Sequence, residues 1–409
     1  MTKADKEGQR KAPILRFKGF TDDWEQRELN KTNDVRDGTH DTPKYIDSGY
    51  PLITSKNLTS SGTINFDDIS YISEDDFNFI NKRSNVDTND ILFGMIGTIG
   101  NPVLVGNDTN FAIKNVALIK KSDSINQYFL INILNSNIFK KYIIKTNQGN
   151  TQKFISLSQI RKFTFYAPQL YEQIEIGKIL QKIDSVITLY AKKSSCLDSC
   201  IAYFIRILYD DPQFFKQKNV QNSIIKSFKL DDILIKNNAK NKDLSILNVE
   251  SISNKKGFIS QKEQFDNYRV ASKDLSNYYV IRPKDFAYNP SRINVGSIAY
   301  KNPNEIKGIV SPLYVSFKCK NDIVLDKYLW HWFKSTNFEH QRVRLSEGGV
   351  RDILSFNQLS KMKISIPSFE IQRQTINLLE ILIQYKEEVD LKLNNLKLIK
   401  NTLLQSMFL

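Results

Sequence analysis

The chain has 409 residues, 41% hydrophobic and 25% charged, with 58 Lys/Arg against 44 Asp/Glu. This is the composition of a folded protein of two to four domains and excludes a disordered chain; no apolar run reaches the ~18 residues of a membrane helix. The net charge of +14 favours a polyanionic partner, DNA or RNA.

In chain order, residues 1–28 form an N-terminal segment. Its start, MTKADKEGQRKAPILRFKGF, is polar through Lys11 and lacks the apolar stretch of a secretion signal, so we expect a cytoplasmic protein. A first globular domain, 29–153, follows. Its runs YPLITSKNL, TINFDDISYI, DILFGMIGTIGNPVLV and FAIKNVALIKK are β-branched and aromatic, broken by Gly, Asn, Asp and Pro, as strands are. A helical patch closes the domain at about 126–146. Residues 154–215 form a first helical region. Ile176, Leu180, Ile183, Ile187, Leu197 and Ile201 fall on a seam with alternating steps of four and three, the heptad of a coiled coil. A helix from Tyr171 to Leu208 would be roughly 57 Å long. A second domain, 216–352, repeats the strand order with ILNVESI, YYVIRPKDFAYN, VGSIAYK and GIVSPLYVSFKCK, then a helix at about 326–343. Residues 353–409 form a second helical region with Leu379, Leu382, Val389, Leu393, Leu396 and Leu403 on the same seam. Lys386 and Lys400 interrupt that seam, and Ile376, Ile383, Leu398 and Ile399 widen its apolar face.

The two halves are copies. FISLSQIRKFTFYAPQLYEQ (154–173) lies over ILSFNQLSKMKISIPSFEIQ (353–372) at a constant shift of 199 residues, placing Ser156 on Ser355, Gln159 on Gln358, Lys162 on Lys361, Pro168 on Pro367 and Gln173 on Gln372. The same shift carries the first heptad seam onto the second. The fold class we expect is α+β: two β-rich mixed domains separated by two long helices that pair as an antiparallel coiled coil, related by a pseudo-two-fold axis. The basic excess is uneven. Residues 30–150 carry 12 Lys/Arg against 13 Asp/Glu, whereas 151–230 carry 12 against 6 and 231–352 carry 20 against 14.

Enzyme signatures are weak. YNPSR (288–292) shares Asn289 and Pro290 with the Asn-Pro-Pro-aromatic motif of amino-methyltransferases but departs at Ser291 and Arg292, and no Gly-rich cofactor loop is present. Asp285, Glu305 and Lys307 have the crude spacing of a metal-dependent nuclease without a counterpart in the first copy. Three cysteines (Cys196, Cys200, Cys319) and three scattered histidines argue for reduced thiols and against a zinc site, and His331, between Trp330 and Trp332, reads as a packing residue. Two further readings stay open: a stand-alone DNA methyltransferase or nuclease, and a coiled-coil scaffold without a nucleic-acid role.

Each helix is introduced by a strand ending in Pro and then Gln, in FYAPQLYEQIEIGKIL and ISIPSFEIQRQTINLL. With the opening LRFKGFTDDWEQREL (15–29), this resembles the specificity subunit of type I restriction-modification systems over nearly the whole chain. Pro168, Glu172 and Gln173 match the family's Pro-x-x-x-Glu-Gln pattern; Pro367 and Gln372 match it, while Ile371 replaces the Glu. The resemblance implies a non-catalytic chain whose two domains are target-recognition domains, each reading one half of an asymmetric, bipartite site in double-stranded DNA. The helices would set the spacing, at most about 17 base pairs for a rod of this length, and dock two methyltransferase subunits. It further implies S-adenosylmethionine on those partners, ATP and Mg on two optional restriction subunits, and no cofactor or metal on this chain.

Base reading needs paired donors and acceptors, and phosphate binding needs Lys, Arg, hydroxyls and backbone amides. The candidates in the first domain are Thr39, His40, Lys56, Asn57, Lys114 and Asn115, with the loop Gln148, Gly149, Asn150, Thr151, Gln152 and Lys153. In the second they are Asn289, Ser291, Arg292, Asn294, Ser311 and Tyr314, with Gly348, Gly349 and Arg351. The acidic stretch FDDISYISEDDF (66–77) is expected to face away from DNA.

Overall fold

A computed structural model describes residues 11–146, 154–211, 225–254, 256–260, 274–346 and 353–408. The chain divides into two compact units, Met1–Lys192 with Asp390–Leu409, and Lys193–Val389. Each unit takes part of both long helices.

Unit one runs β1 (Glu25–Glu28), α1 (Leu29–Thr32), β2 (Val35–Asp37), β3 (Tyr50–Thr54), β4 (Ser70–Ile72), α2 (Glu74–Ser84), β5 (Ile91–Gly94), β6 (Gly100–Leu104), β7 (Ala112–Lys114), β8 (Val116–Ile119), α3 (Gln127–Asn135), α4 (Asn137–Thr146), α5 (Leu157–Arg161) and β9 (Thr164–Ala167). Helix α6 (Leu170–Asp210) then starts in this unit. Strands β2-β8-β5-β6 form one antiparallel sheet. Strands β4-β3-β7 form a second, in which β3 and β7 are parallel. The first sheet is buried on both faces, which is why its strands read as continuous apolar runs. Ile91, Phe93, Ala117 and Ile119 face the helices, and Leu92, Val116 and Leu118 face the second sheet.

Unit two repeats this plan with β10 (Lys226–Lys229), α7 (Leu230–Ile233), β11 (Leu234–Lys236), β12 (Val249–Ser253), β13 (Gly257–Ser260), β14 (Tyr279–Ile281), β15 (Phe286–Tyr288), β16 (Ile298–Tyr300), β17 (Gly308–Val310), β18 (Val315–Cys319), α8 (Asp326–Trp332), α9 (Thr336–Ser346), α10 (Phe356–Ser360), β19 (Lys363–Ile366) and helix α11 (Phe369–Ser406). Sheet β11-β18-β15-β16 has the order of β2-β8-β5-β6, and β12 pairs with β17 in parallel as β3 does with β7. The copies differ at one edge. Unit two adds β14 beside β17, where unit one packs helix α2 against β7.

The repeated segment is the joint between each domain and its helix. Ser156 caps α5 by accepting the Gln159 N–H (3.2 Å), and Gln159 returns its Oε1 to the Ser156 N–H (2.7 Å). Gln159 Nε2 also donates to the Thr146 carbonyl (3.1 Å), closing the end of α4. Ser355 and Gln358 make the same box, with Gln358 Nε2 on the Leu345 carbonyl (2.8 Å). Further on, Gln173 donates to the Pro168 carbonyl (2.8 Å) and accepts the Asn126 N–H (2.9 Å). Gln372 does so with Pro367 (3.0 Å) and Leu325 (2.8 Å). Each partner is displaced by 199 residues. The side chains match because each bonds the same backbone groups in both copies, and Gln173 and Gln372 tie each long helix to its domain at Asn126 and Leu325. Gly177 completes the first joint, since a Cβ there would meet Asn126 Oδ1 at 2.6 Å.

The heptad seam is visible along both helices: every seam position from 176 to 208 and from 375 to 407 is at least partly buried. In unit one Ile176 and Leu180, at the start of α6, pack into the domain core with Leu403, Leu404 and Met407 from the end of α11. In unit two Leu379 and Ile376, early in α11, share a core with Ile201, Ile205 and Leu208 from the end of α6. The helices are therefore antiparallel in each unit. The seam lysines pair with acidic residues of the other helix, Lys400 with Asp184 (2.5 Å) in unit one and Lys386 with Asp198 (3.2 Å) in unit two. Leu398 and Ile399, expected to widen the apolar face, are instead exposed. Two other expectations shift. The helical patches at 126–146 and 326–343 are each two helices, and FAIKNVALIKK is two strands in two different sheets, with Asn115 between them.

Candidate nucleic-acid interface

At one end of unit one the chain crosses between sheets at Asn115, in a left-handed conformation (φ 55°) that Asn tolerates without a β-carbon clash too severe to bear. The end of β2 runs alongside. Gly38 must be glycine there, because a Cβ would lie 2.2 Å from the Ile113 carbonyl oxygen. Thr39 donates its N–H to Ile113 and accepts that of Asn115 (3.1 Å). His40 then sits with Nδ1 2.8 Å from Asn115 Oδ1 and Nε2 2.9 Å from Asp37 Oδ2. The other Asp37 oxygen takes Arg83 from the end of α2. Lys114 reaches the Thr42 hydroxyl (2.5 Å), and the Ser55 hydroxyl donates to the Asn115 carbonyl (3.1 Å). The hairpin after β5 belongs to the same end: Ile96 bridges to Phe154, the first described residue after 147–153.

The structure thus brings Thr39, His40, Lys114 and Asn115 together. The loop residues Gln148, Gly149, Asn150, Thr151, Gln152 and Lys153 lie outside the described residues. Two candidates make other contacts. Asn57 is buried, with its amide on the Asn65 and Asp68 carbonyls and its oxygen accepting from Thr54, so it holds a turn. Lys56 pairs with Asp68 of the acidic stretch (3.2 Å), both side chains exposed. Sequence reasoning missed Asp37 and Arg83. Arg83 is 46 residues from Asp37 on a helix whose packing no local pattern discloses.

The equivalent end of unit two carries different chemistry on the same frame. The Asn237 N–H bonds Ser316 O at 2.9 Å as the Gly38 N–H bonds Val116 O at 2.9 Å. Asn289 Oδ1 accepts the Ser291 N–H (3.0 Å), shaping a loop on which Ser291, Arg292 and Asn294 are exposed. The Pro290 carbonyl accepts the N–H of Leu354 (3.0 Å), which follows the segment holding Gly348, Gly349 and Arg351; those three lie outside the described residues. The single crossing residue Asn115 is replaced by a turn, Ser311–Tyr314, closed by Tyr314 N–H on Ser311 O (3.0 Å). Leu313 at its tip is 77% exposed. Tyr314 is partly buried against the second sheet, with its hydroxyl accepting from the Ile252 N–H at 3.5 Å.

The residues weighed for catalysis are engaged otherwise. Asp285 is buried and caps the Arg282 N–H (2.8 Å), burial holding its carboxyl above the usual range. Glu305 bonds Asn302 (2.6 Å). Among the described residues no group of three His, Cys, Asp or Glu could hold a metal ion. His331 is fully buried, 3.1 Å from Glu380 on α11, and desolvation lowers its pKa.

One framework built twice, with matched joints and unlike surfaces at equivalent ends, defines a duplicated α+β protein. Comparison with known proteins agrees. Residues 21–199 match the family model of the type I restriction modification DNA specificity domain. The chain is 22% identical over 201 residues to the type I restriction enzyme MjaVIII specificity subunit of Methanocaldococcus jannaschii, covering 46% of this chain and 45% of the relative. It thus spans about half the length of the curated relatives it matches. The fold of the crystallised S subunit of a type I restriction-modification system from M. genitalium superimposes with a TM-score of 0.64 at 17% identity, over 97% of this chain and 99% of that one. A chain of the type I R-M system solved for its complex assembly and conformational transition gives 0.52 at 13% identity, over 93% and 96%. Residues 21–199 thus resemble a type I restriction modification DNA specificity domain, and the whole chain shares the fold of the crystallised S subunit. No helix among the described residues is long and apolar enough to cross a membrane.

Proposed function

We propose that this chain is the DNA-reading subunit of a type I restriction-modification complex. Each unit reads one half of a bipartite site in double-stranded DNA, and the paired helices fix the number of base pairs between the halves. The observation that carries this is the contrast between constancy and variation. The Ser-Gln boxes and Pro-Gln locks are the same in both copies, while the ends beyond them present a His-Asn-Lys-Arg cluster in one unit and an Arg-Asn loop with a Leu-tipped turn in the other. Two unlike surfaces select two unlike half-sites, so the target is asymmetric. In unit one Thr39, His40, Lys114, Asn115 and Arg83 contact DNA; in unit two Ser291, Arg292, Asn294 and Ser311 do. Exposed apolar side chains on the helices, among them Leu189, Tyr203, Ile381 and Leu391, are the surface that receives two methyltransferase subunits. In this reading S-adenosylmethionine belongs to those partners, ATP and Mg to optional restriction subunits, the complex works in the cytoplasm, and this chain performs no chemistry.

The test is to co-express the chain with a type I methyltransferase subunit and sequence the host genome with single-molecule detection of methyladenine. A bipartite, asymmetric motif methylated only when both genes are present is the expected result. Its absence would sink the reading. Methylation by this chain alone would favour a stand-alone enzyme.

A further inference from the structure

Asn115 is partly buried, with its side-chain amide bonded to His40. Asp37 is almost fully buried (8% side-chain exposure), and its two oxygens are taken by Arg83 and by His40 Nε2, so it accepts from the Nε2–H of His40 in either charge state. The Nδ1 atom is then the only variable position on the ring. When it carries a proton it donates to Asn115 Oδ1 (2.8 Å) and leaves Asn115 Nδ2, which has no partner among the described residues, turned outward. When Nδ1 is bare it can only accept. Two acceptors then face each other, and turning the Asn115 amide over restores the bond: Nδ2 donates to Nδ1 and Oδ1 points outward. The backbone of Asn115 cannot follow, because its N–H is held by Thr39 O (3.1 Å) and its carbonyl by Ser55 (3.1 Å). Only the amide plane moves.

Resting on the DNA-recognition reading above, we propose that His40 is a proton-dependent positioning residue that sets which base edge Asn115 reads. With His40 protonated, Asn115 offers an N–H to purine N7, guanine O6 or thymine O4. With His40 neutral it offers a carbonyl to adenine N6 or cytosine N4. The groups facing His40 are Asp37 from β2, Arg83 from α2 and Asn115 at the crossing. The bonds to Asn115 and Asp37 raise its pKa, and Arg83 opposes them, so both states lie within reach of ordinary pH.

The experiment is selection from a randomised duplex DNA library by the full-length chain, at about pH 5.5 and about pH 8.5. Wild type is compared with His40→Lys, which donates at both pH values, and His40→Ala. One position in one half-site should change its preferred base between the two pH values, by a factor on the order of ten, while the other half-site stays constant. H40K should give the low-pH base at both, and H40A should show no pH effect. An identical wild-type motif at both pH values overturns the proposal. So does a pH-dependent position that survives in H40A. Failure to enrich any motif overturns the recognition reading, and this proposal with it.

Discussion

Arg16 and Glu172 form the most exposing test of how the N-terminal segment is tied to the first joint. Arg16 donates Nε to Glu172 Oε1 and a second guanidinium nitrogen to Oε2, both at 2.7 Å. The side chains are 10% and 1% exposed, and the hydrogen bond to Glu172 raises the guanidinium pKa. Arg16→Ala would leave a carboxylate buried with its partner gone, at a cost of about 3–5 kcal/mol. The second copy shows the alternative, because Ile371 stands where Glu172 does and is equally buried. Joining Arg16→Leu to Glu172→Ile should therefore return the protein to wild-type stability, or above it by about 1–4 kcal/mol, since two desolvated charges are replaced by packed apolar groups. The assay is urea unfolding of the full chain followed by Trp24 fluorescence, because Trp24 is buried in the core beside this joint. If R16A unfolds within about 1 kcal/mol of wild type, the pair is not the buried clamp described, as it would then behave like a surface ion pair. If the double variant is as unstable as R16A, the Ile371 analogy fails.

Three further outcomes are expected. Gln358→Ala removes the acceptor of the Ser355 N–H and the donor to the Leu345 carbonyl together, leaving the Ser355 Oγ cap, and should cost about 1–2 kcal/mol, measured by thermal unfolding, with Gln159→Ala costing a similar amount in the other copy. Lys400→Glu sets like charges against Asp184 and should lower stability by up to about 1 kcal/mol, an effect that Asp184→Lys reverses in a double-mutant cycle and that high salt weakens. Acid should weaken unit two in two stages. His331, whose pKa burial lowers from 6.5, is neutral when folded; the unfolded chain takes up the proton first as pH falls below that value, so stability drops there. Glu380 is held down at about 2, chiefly by its bond to His331 and then by Lys327; its contribution is complete above its unfolded value of 4.5 and lost as pH falls through about 2. His331→Gln should flatten the first stage in a series of melting temperatures against pH.

Much of this architecture is legible in the sequence because it is written in periodicities. Strands β5 and β8 read as apolar runs because both faces are buried, and the heptad seam reads because its positions alternate by four and three with few exceptions. The joint is legible through repetition: Ser156, Gln159, Pro168 and Gln173 recur at one shift because their bonds are to backbone groups, which any diverged neighbour still supplies. The recognition ends are poorly legible for the opposite reason. Asp37, His40, Arg83 and Asn115 meet only after two sheets and a helix have packed, and the left-handed turn at Asn115 interrupts a run that propensity alone extends. Glu172 matches the Pro-x-x-x-Glu-Gln pattern in the first turn of α6. It is an ion-pair partner whose mate lies 156 residues away, which no local rule registers.

The sequence repeat and the folding unit are not the same object. In sequence, each copy is a domain followed by its helix. In the structure, unit one is closed by the far end of the chain: Phe408 packs on Phe129 at 5.3 Å between ring centroids, and Trp24 on both. Unit two is closed at the matching place by the end of α6, where Tyr209 packs on Tyr328 at 4.7 Å. Tyr209 and Phe408, like Tyr328 and Phe129, are 199 residues apart. Each core is thus finished by the helix that belongs, in sequence, to the other copy. A domain built this way cannot exchange its helix partner without exposing an aromatic cluster. The surfaces that differ between the copies are thus separate from the contacts that close each core.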